Sequence, residues 1–321
     1  MRRLPDFFVV GAQKAGTTTL HDWLTQQPDA CLPAIKETHF FSHDDRYAYG
    51  IEWYLRQFSA CDEHAIVGEI DPEYMFFKDA PRRIRTWVKS PRIIFLLRNP
   101  LDRAYSHYQM SVRRGYETLS VEDALEKEPE RLAADKDGFA HNHQSYMARG
   151  RYCEQINRFR EAFPKSEFLF VKFDELVGKK TGAETYAHIC RFIGLKSSPT
   201  IADRSKKSNQ ASMPRSVLLR DFLYRRGGIR RCLSKLIPSV DVKMRLSLFL
   251  DRLNQRPLKA NEKKSPVTIP TEILRAVKEE ITALESATTL KLQDWLDALE
   301  TLPHAQPKIN RIVEVTHAPS R

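Results

Sequence analysis

The residues best suited to chemistry near the start of the chain lie in a glycine-flanked turn, within FFVVGAQKAGTTTL at residues 7–20. Gly11 and Gly16 have the spacing of an ATP-type phosphate loop, but Thr17 stands where that loop carries its lysine. The lysine is Lys14, inside the turn. Backbone amides and hydroxyls at the helix start still form an anion cradle. We therefore predict a phosphate-binding loop that serves a terminal triphosphate with magnesium poorly.

The predicted cradle, called loop 11–16, can be read in two ways. In the functional interpretation, the anion is held by Lys14, Ala15, Gly16, Thr17, Thr18 and Thr19. In the structural alternative, the glycines serve only a tight turn, the threonines cap the helix and the lysine is solvated. The loop alone favours the first interpretation only modestly.

A second strand end offers another anion site. Arg98 ends an apolar run, and Ser106 lies two helical turns into the next predicted helix. A guanidinium fork and a hydroxyl there could hold a second phosphate. The alternative is that Arg98 pairs with Asp102 and that Ser106 only packs. Two anion sites on neighbouring strand ends suit a nucleotide that is phosphorylated at both ends.

Alternating strand and helix patterns predict the elements that position these residues. A continuous apolar run, typical of a strand buried on both faces, lies at residues 7–10, and residues 92–97 form the clearest buried strand. Two further strands are predicted at residues 65–70 and 167–173. Helical patterns lie at residues 17–27, 80–88, 147–163 and 186–193. This order predicts an α/β fold with a P-loop-like parallel sheet and helices on both faces. Ligands of such sheets bind at the carboxyl ends of the strands, where both candidate anion sites lie.

The C-terminal third differs in character from the rest of the chain. It becomes polar beyond residue 196 and then follows helical patterns through residue 299, with one apolar face formed by Ile273, Val277, Ile281 and Leu284. We predict a single domain at residues 1–303, with its core at 5–196 and a largely helical part at 197–303. The tail at 304–321 is predicted to be loose.

Composition limits the partners and the compartment. The 321 residues carry 52 Lys and Arg against 41 Asp and Glu, a net charge of +11 that favours an anionic partner. No RNA- or DNA-binding motif is present, so no nucleic-acid partner is predicted. The five cysteines lack CxxC spacing, which argues against a disulfide framework or a zinc site and indicates a reducing compartment. Without a signal h-region or a long apolar run, we expect a cytoplasmic chain with no transmembrane segment.

Several segments together resemble the sulfotransferases that use 3′-phosphoadenosine-5′-phosphosulfate (PAPS). GAQKAGTTTL resembles their 5′-phosphosulfate loop, and RNPLDRAYSHY at residues 98–108 resembles their 3′-phosphate motif. IKETHFFS at residues 35–42, called segment 35–42, resembles the K-E-x-H-F-F segment of the heparan sulfate sulfotransferase branch and its bacterial relatives. GEIDPEYMF at residues 68–76 resembles the acceptor-side G-E-x-x-P-x-Y segment. The resemblance covers residues 7–195, and the family's order of motifs makes it specific.

The resemblance implies in-line transfer of a sulfuryl group from PAPS to a hydroxyl or amine, leaving 3′,5′-adenosine bisphosphate. A sulfuryl group carries less negative charge than a phosphoryl group, so one lysine replaces a metal clamp and no metal is expected. Lys14 is implied to meet the bridging oxygen, Glu37 to be the general base and His39 to assist or orient. Donor-binding roles are implied for Lys14, Ala15, Gly16, Thr17, Thr18, Thr19, Arg98, Ser106, Tyr152 and Lys207.

Purely structural alternatives stay open for these residues. Glu37 could be a surface ion-pair partner of Lys36, and His39 could be a packing histidine between aromatic rings. The basic loop with Lys206 and Lys207 could be solvated rather than a lid over the 3′-phosphate.

Departures from the family pattern bear on the acceptor. Ser42 replaces an aspartate of some glycan-specific members, Ile70 and Asp71 replace their Lys-Thr or Lys-Ser, and their secretory disulfide loop is absent. A saccharide, lipid-linked or small hydroxylated acceptor is therefore expected rather than a heparan-type chain. Two other functions are kept: a P-loop kinase or ATP-binding protein, with Asp174 as its one candidate metal ligand, and a non-catalytic nucleotide- or glycan-binding module.

Overall fold

The structure is a computed structural model, and it describes residues 3–196, 212–216, 249–250, 253–257 and 269–301. Five strands form one sheet: β1 (Phe7–Gly11), β2 (Ala30–Cys31), β3 (Ile66–Ile70), β4 (Arg92–Leu97) and β5 (Phe168–Lys172). Their order is β2-β3-β1-β4-β5, and every pairing is parallel. The predicted parallel sheet is confirmed, with β1 at its centre because its apolar run is buried throughout.

Helices flank the sheet and account for most of the remaining described chain. In chain order they are α1 (Thr17–Leu24), α2 (Asp44–Tyr47), α3 (Ile51–Arg56), α4 (Glu73–Phe76), α5 (Ala80–Trp87), α6 (Pro100–Arg114), α7 (Val121–Ala134), α8 (Phe139–His143), α9 (Tyr152–Ala162), α10 (Phe173–Val177), α11 (Gly182–Ile193), α12 (Thr271–Ala287) and α13 (Gln293–Glu300). A short antiparallel pair, β6 (Ser212–Pro214) and β7 (Gln255–Pro257), lies outside the main sheet. In the part of the chain that the structure describes, no helix is long and apolar enough to cross a membrane.

Three helix predictions needed correction. The helix predicted at residues 186–193 ends as predicted but begins earlier, at Gly182. The helix predicted at residues 17–27 ends at Leu24, several residues before Pro28. The helix predicted at residues 147–163 is a 3₁₀ turn at Ala148–Gly150 followed by α9, because the backbone of Arg151 leaves the helical region (φ −80°, ψ 73°). This break lets Gly150 pack closely on Pro100 at the start of α6, where a Cβ would lie 3.2 Å from the proline Cβ.

The described C-terminal helices pack on the core. α12 buries Leu274, Val277, Ile281 and Leu284, so the apolar face was predicted correctly except that Leu274, rather than Ile273, is fully buried in it. Glu280 of α12 accepts the Cys153 backbone N–H of α9 at 2.8 Å. The division into one domain and a loose tail stays a prediction.

The cysteine argument was wrong, because Cys31 and Cys61 form a disulfide. Their Cα atoms are 5.6 Å apart, since the chain returns to the end of β2 before it enters β3. No short spacing signals this bond, because the two cysteines are separated by 30 residues. The bond closes a loop that contains segment 35–42, and the reducing-compartment prediction loses its support from the cysteines.

Candidate functional site

Loop 11–16 connects β1 to α1 at the carboxyl end of the central strand. Lys14 and Gly16 both have positive φ, 71° and 89°, which turns the chain sharply before the helix. A Cβ at Gly16 would lie 3.0 Å from the Phe173 ring, so only glycine fits this turn easily. α1 has no side-chain cap at its N-terminus. Because the threonines do not cap it, the first-turn amides are available for an anion, and the capping alternative loses support.

Lys14 is held in an environment that disfavours its charge. Its Nζ atom lies 3.9 Å from Met110 Sδ on α6. Burial, together with the charges of Arg113, Arg114 and Arg98, lowers the pKa of Lys14 to about 7. A buried ammonium among guanidinium groups is stabilised when an anion enters, so this is the electrostatic signature of an anion site.

Arg98 joins the second strand end to loop 11–16. Its Nη1 donates to the backbone oxygen of Lys14 at 3.3 Å, and its guanidinium carbon lies 4.7 Å from the Phe173 ring centroid. It therefore contacts the loop, and the structure has no Arg98–Asp102 ion pair of the kind that the structural alternative required. Tyr152, buried at the start of α9, donates its hydroxyl to the Arg98 backbone oxygen at 2.8 Å.

The remaining predicted donor residues are less fully described. Ser106 is half-buried on α6, two turns beyond Arg98. Lys206 and Lys207 lie outside the described residues, so their predicted role as a lid stays a prediction.

Lys36 connects segment 35–42 to the first turn of α1, which directly follows loop 11–16. Lys36 Nζ lies 3.1 Å from Glu37 Oε1 and donates to Thr18 Oγ1 at 2.8 Å. The predicted Lys36–Glu37 ion pair therefore exists, but it is not a bland surface pair, because the same ammonium reaches the first turn of α1. The Glu37 side chain is 30% exposed, which leaves its carboxylate accessible to an incoming group.

His39 is fixed by a carboxylate that the sequence did not assign to it. Its backbone φ is 53°, its N–H donates to Asp71 Oδ2 at 2.7 Å, and its Nδ1 lies 3.2 Å from Asp71 Oδ1. Burial alone would lower the pKa of His39, but Asp71 raises it to about 10. The ring is therefore protonated at neutral pH and serves as a hydrogen-bond donor and a positive charge rather than as a base.

A buried polar cluster around Glu69 anchors segment 35–42. Glu69, at 0% exposure on β3, accepts the hydroxyls of Thr38 and Tyr54, each at 2.6 Å. Burial and the charge of Asp71 together raise the pKa of Glu69 to about 7. Sequence reasoning missed these partners, although Glu69 and Asp71 both stand in the quoted GEIDPEYMF segment.

The described residues offer no cluster of metal ligands. Among the described residues, no group of three or more His, Cys, Asp or Glu side chains could hold a metal ion. Asp174, the metal candidate of the kinase alternative, lies in the first turn of α10, where burial raises its pKa.

Comparison with known proteins gives consistent matches. A family model described as "Sulfotransferase domain" matches residues 4–235. Heparan sulfate glucosamine 3-O-sulfotransferase 6 of Homo sapiens is 32% identical over 197 residues, which cover 61% of this chain and 54% of that protein. Heparan sulfate glucosamine 3-O-sulfotransferase 5 of Mus musculus is 30% identical over 178 residues, covering 55% and 50%. The chain thus spans about half the length of these relatives.

A solved structure is also similar. The crystal structure of a sulfotransferase from Alicyclobacillus acidocaldarius superposes with a TM-score of 0.56 at 31% sequence identity. The match covers 64% of this chain and 86% of that one.

Proposed function

Because this chain belongs to the sulfotransferase family, we propose that it transfers a sulfuryl group from PAPS to a hydroxyl or amine of an acceptor. The acceptor is a saccharide, a lipid-linked molecule or a small hydroxylated molecule. The donor leaves as 3′,5′-adenosine bisphosphate, and no metal takes part.

On the donor side, the sulfur–oxygen bond to the 5′-phosphate breaks while a new bond forms from sulfur to the acceptor oxygen or nitrogen. Lys14 stabilises the negative charge that develops on the bridging oxygen of the leaving phosphate. Loop 11–16 and the first turn of α1 hold the 5′-phosphate, with Ala15, Gly16, Thr17, Thr18 and Thr19 as binding residues. Arg98, Ser106, Tyr152 and Lys207 are proposed for the 3′-phosphate end.

On the acceptor side, Glu37 takes the proton that the acceptor loses as the new bond forms. His39, protonated through Asp71, donates a hydrogen bond that orients the acceptor or a sulfuryl oxygen. This division of roles follows from the charges, because a ring with a pKa of about 10 does not accept a proton near pH 7.

The observation that carries the proposal is the position of Lys36. Its ammonium nitrogen lies 2.8 Å from Thr18 Oγ1 in the first turn of α1 and 3.1 Å from Glu37 Oε1. The proposed base and the proposed phosphate-binding turn therefore flank a single ammonium group, as in-line transfer between donor and acceptor requires.

Thermal stabilisation by 3′,5′-adenosine bisphosphate, compared with ATP plus magnesium, tests the donor site. A ligand that binds only the folded state raises the melting temperature by mass action. We expect a clear rise with the bisphosphate, little rise with magnesium-ATP, and loss of the bisphosphate effect in Lys14→Ala. Lys78→Ala, which removes an exposed lysine, is the matched control. A rise with magnesium-ATP alone would favour the kinase alternative.

Transfer itself is tested with radiolabelled PAPS and a panel of saccharide, lipid-linked and phenolic acceptors. Bisphosphate binding without transfer to any acceptor, and without release of bisphosphate from PAPS, would favour the non-catalytic module.

A further inference from the structure

The corner between β3 and α4 carries two buried carboxylates, two residues apart. Asp71 is fully buried directly after β3, and Glu73 is 7% exposed at the start of α4. The Glu73 backbone N–H donates to Asp71 Oδ1 at 3.1 Å, which fixes the turn between them. Buried carboxylates are costly unless their partners are close and well oriented, so the partners of this pair are informative.

Asp71 binds segment 35–42. Its two oxygens accept the backbone N–H of His39 at 2.7 Å and contact the Nδ1 atom of the same residue. One carboxylate therefore fixes both the backbone turn at His39, where φ is 53°, and the direction of its ring.

Glu73 binds the other reactive segment. Its Oε1 accepts from Gln13 Nε2 in loop 11–16 at 3.0 Å, and its Oε2 accepts from Arg149 Nη2 at 2.8 Å. Burial alone would raise the pKa of Glu73, but Arg149 lowers it below the ordinary value, so the carboxylate is ionised. Gln13 directly precedes Lys14, so this contact holds the loop next to the proposed leaving-group lysine.

We propose that Asp71 and Glu73 are positioning residues that together set the spacing between His39 and Lys14. Asp71 fixes the acceptor-side ring, Glu73 fixes loop 11–16, and the short turn between them makes the two placements interdependent. The inference rests on the proposed function for its effect on transfer, whereas the placements themselves can be measured without any reaction.

The pKa of His39 reports on its contact with Asp71 and can be measured. The groups facing its ring are Asp71, Glu37 and Glu73, which favour its protonation, and His43, whose ring centroid lies 5.5 Å away. Without the Asp71 charge, burial pulls the pKa of His39 back toward or below its ordinary 6.5. At saturating donor, the kcat of wild-type protein should keep its His39 contribution up to about pH 9, whereas the kcat of Asp71→Asn should decline as pH rises through about 6.5.

The test compares Asp71→Asn, Glu73→Gln and Gln13→Ala with Glu117→Gln as the matched control. Glu117 is also buried and paired with an arginine, Arg131 at 2.5 Å, but it touches neither reactive segment. The titration of His39 is followed by NMR, with its signal identified by its loss in His39→Gln. Amide hydrogen exchange of residues 12–16 reports on the loop, and bisphosphate affinity and kcat are measured alongside.

We expect Asp71→Asn to lower the pKa of His39 by more than two units and kcat by about 10²-fold, with bisphosphate affinity unchanged. Glu73→Gln and Gln13→Ala should each speed exchange in the loop and weaken bisphosphate binding by roughly tenfold, and the double variant should be no worse than either. Gln13→Ala leaves no buried charge unpaired. It therefore still tests whether the Gln13–Glu73 contact holds the loop if Glu73→Gln fails to fold.

The proposal is overturned if His39 titrates alike in wild-type protein and Asp71→Asn, or if loop exchange in Gln13→Ala matches that in Glu117→Gln. A wild-type protein that neither binds the bisphosphate nor transfers would instead refute the proposed function. The titration and exchange results would still decide whether the corner positions both segments.

Discussion

Loop 11–16 and segment 35–42 both contact the corner between β3 and α4, but they satisfy their charges in different ways. Burial and neighbouring arginines lower the pKa of Lys14 to about 7. Despite burial, Asp71 raises the pKa of His39 to about 10. A lysine ordinarily has a higher pKa than a histidine, and here the order of the two pKa values is inverted.

The inversion follows from the partners that each segment provides. Segment 35–42 finds its counter-charges within the protein: His39 has Asp71, and Lys36 has Glu37. Around Lys14, the charges that shift its pKa all belong to arginines. Segment 35–42 is organised by its own contacts, whereas the buried charge of Lys14 would be stabilised by an anionic ligand.

Replacing Lys14 should have the largest effect, because it removes the charge that distinguishes loop 11–16 from segment 35–42. We expect Lys14→Met, which keeps an apolar contact with Met110, to lower transfer by about 10³-fold or more, because Lys14 is the group proposed to stabilise the leaving oxygen. The ligand-free variant should melt at a higher temperature than wild type at pH 7 or below, since it no longer buries a repelled charge. Calorimetry and transfer with radiolabelled PAPS measure the two effects. Substantial transfer by this variant would contradict the leaving-group role.

Replacing Glu37 should affect chemistry without affecting the donor site. We expect Glu37→Gln to lower kcat by about 10²- to 10⁴-fold, since the amide cannot take the acceptor proton. Bisphosphate affinity, measured by calorimetric titration, should stay within a few-fold of wild type. Glu63→Gln, which changes an exposed carboxylate, is the control. An unchanged kcat would remove Glu37 from the mechanism.

The sequence predicts the scaffold of both regions well, because apolar runs and helical spacing are local properties. The strand at 92–97 was predicted at its observed bounds. The proposed anion site at the end of β1 was predicted from glycine spacing and one displaced lysine, and the structure shows the sharp turn there. The pairing of His39 with Asp71 could not be predicted, since the residues are 32 positions apart and a single chain shows no pattern that joins them. The cluster of arginines around Lys14 likewise depends on how α6 packs over the loop.

The disulfide belongs to the same class of long-range contact, and it distinguishes the two regions. The Cys31–Cys61 bond spans 30 residues and encloses segment 35–42, α2 and α3, while loop 11–16 lies outside. Chain entropy predicts that losing it costs up to about 3–4 kcal/mol. We expect Cys31→Ser with Cys61→Ser to lower the melting temperature and raise the acceptor KM, with bisphosphate binding of the folded protein retained. Equal losses of donor and acceptor binding would contradict this division.

Cys153→Ser is the control for this experiment. It removes a thiol that is not in the disulfide and lies on α9, outside the loop that the disulfide closes. Its acceptor KM should equal that of wild type.

The smallest expected effect is the pH dependence of donor binding. It tests directly whether the pKa of Lys14 lies below that of His39. The pKa of Lys14 is about 7 without ligand, and an anion favours its protonated form, so binding above pH 7 must take up a proton. Bisphosphate affinity should therefore fall by up to tenfold per pH unit between about pH 7 and 9. The phosphates lose their last protons near pH 6, so their charge is nearly constant across that window.

Lys14→Arg isolates the cause, because a guanidinium stays protonated throughout this range. Its bisphosphate affinity should be nearly flat from pH 7 to 9, while wild-type affinity slopes downward. His39 stays protonated up to about pH 10 and so cannot produce the slope. If Lys14→Arg keeps the wild-type slope, another group takes up the proton, and the contrast between the two regions does not rest on Lys14.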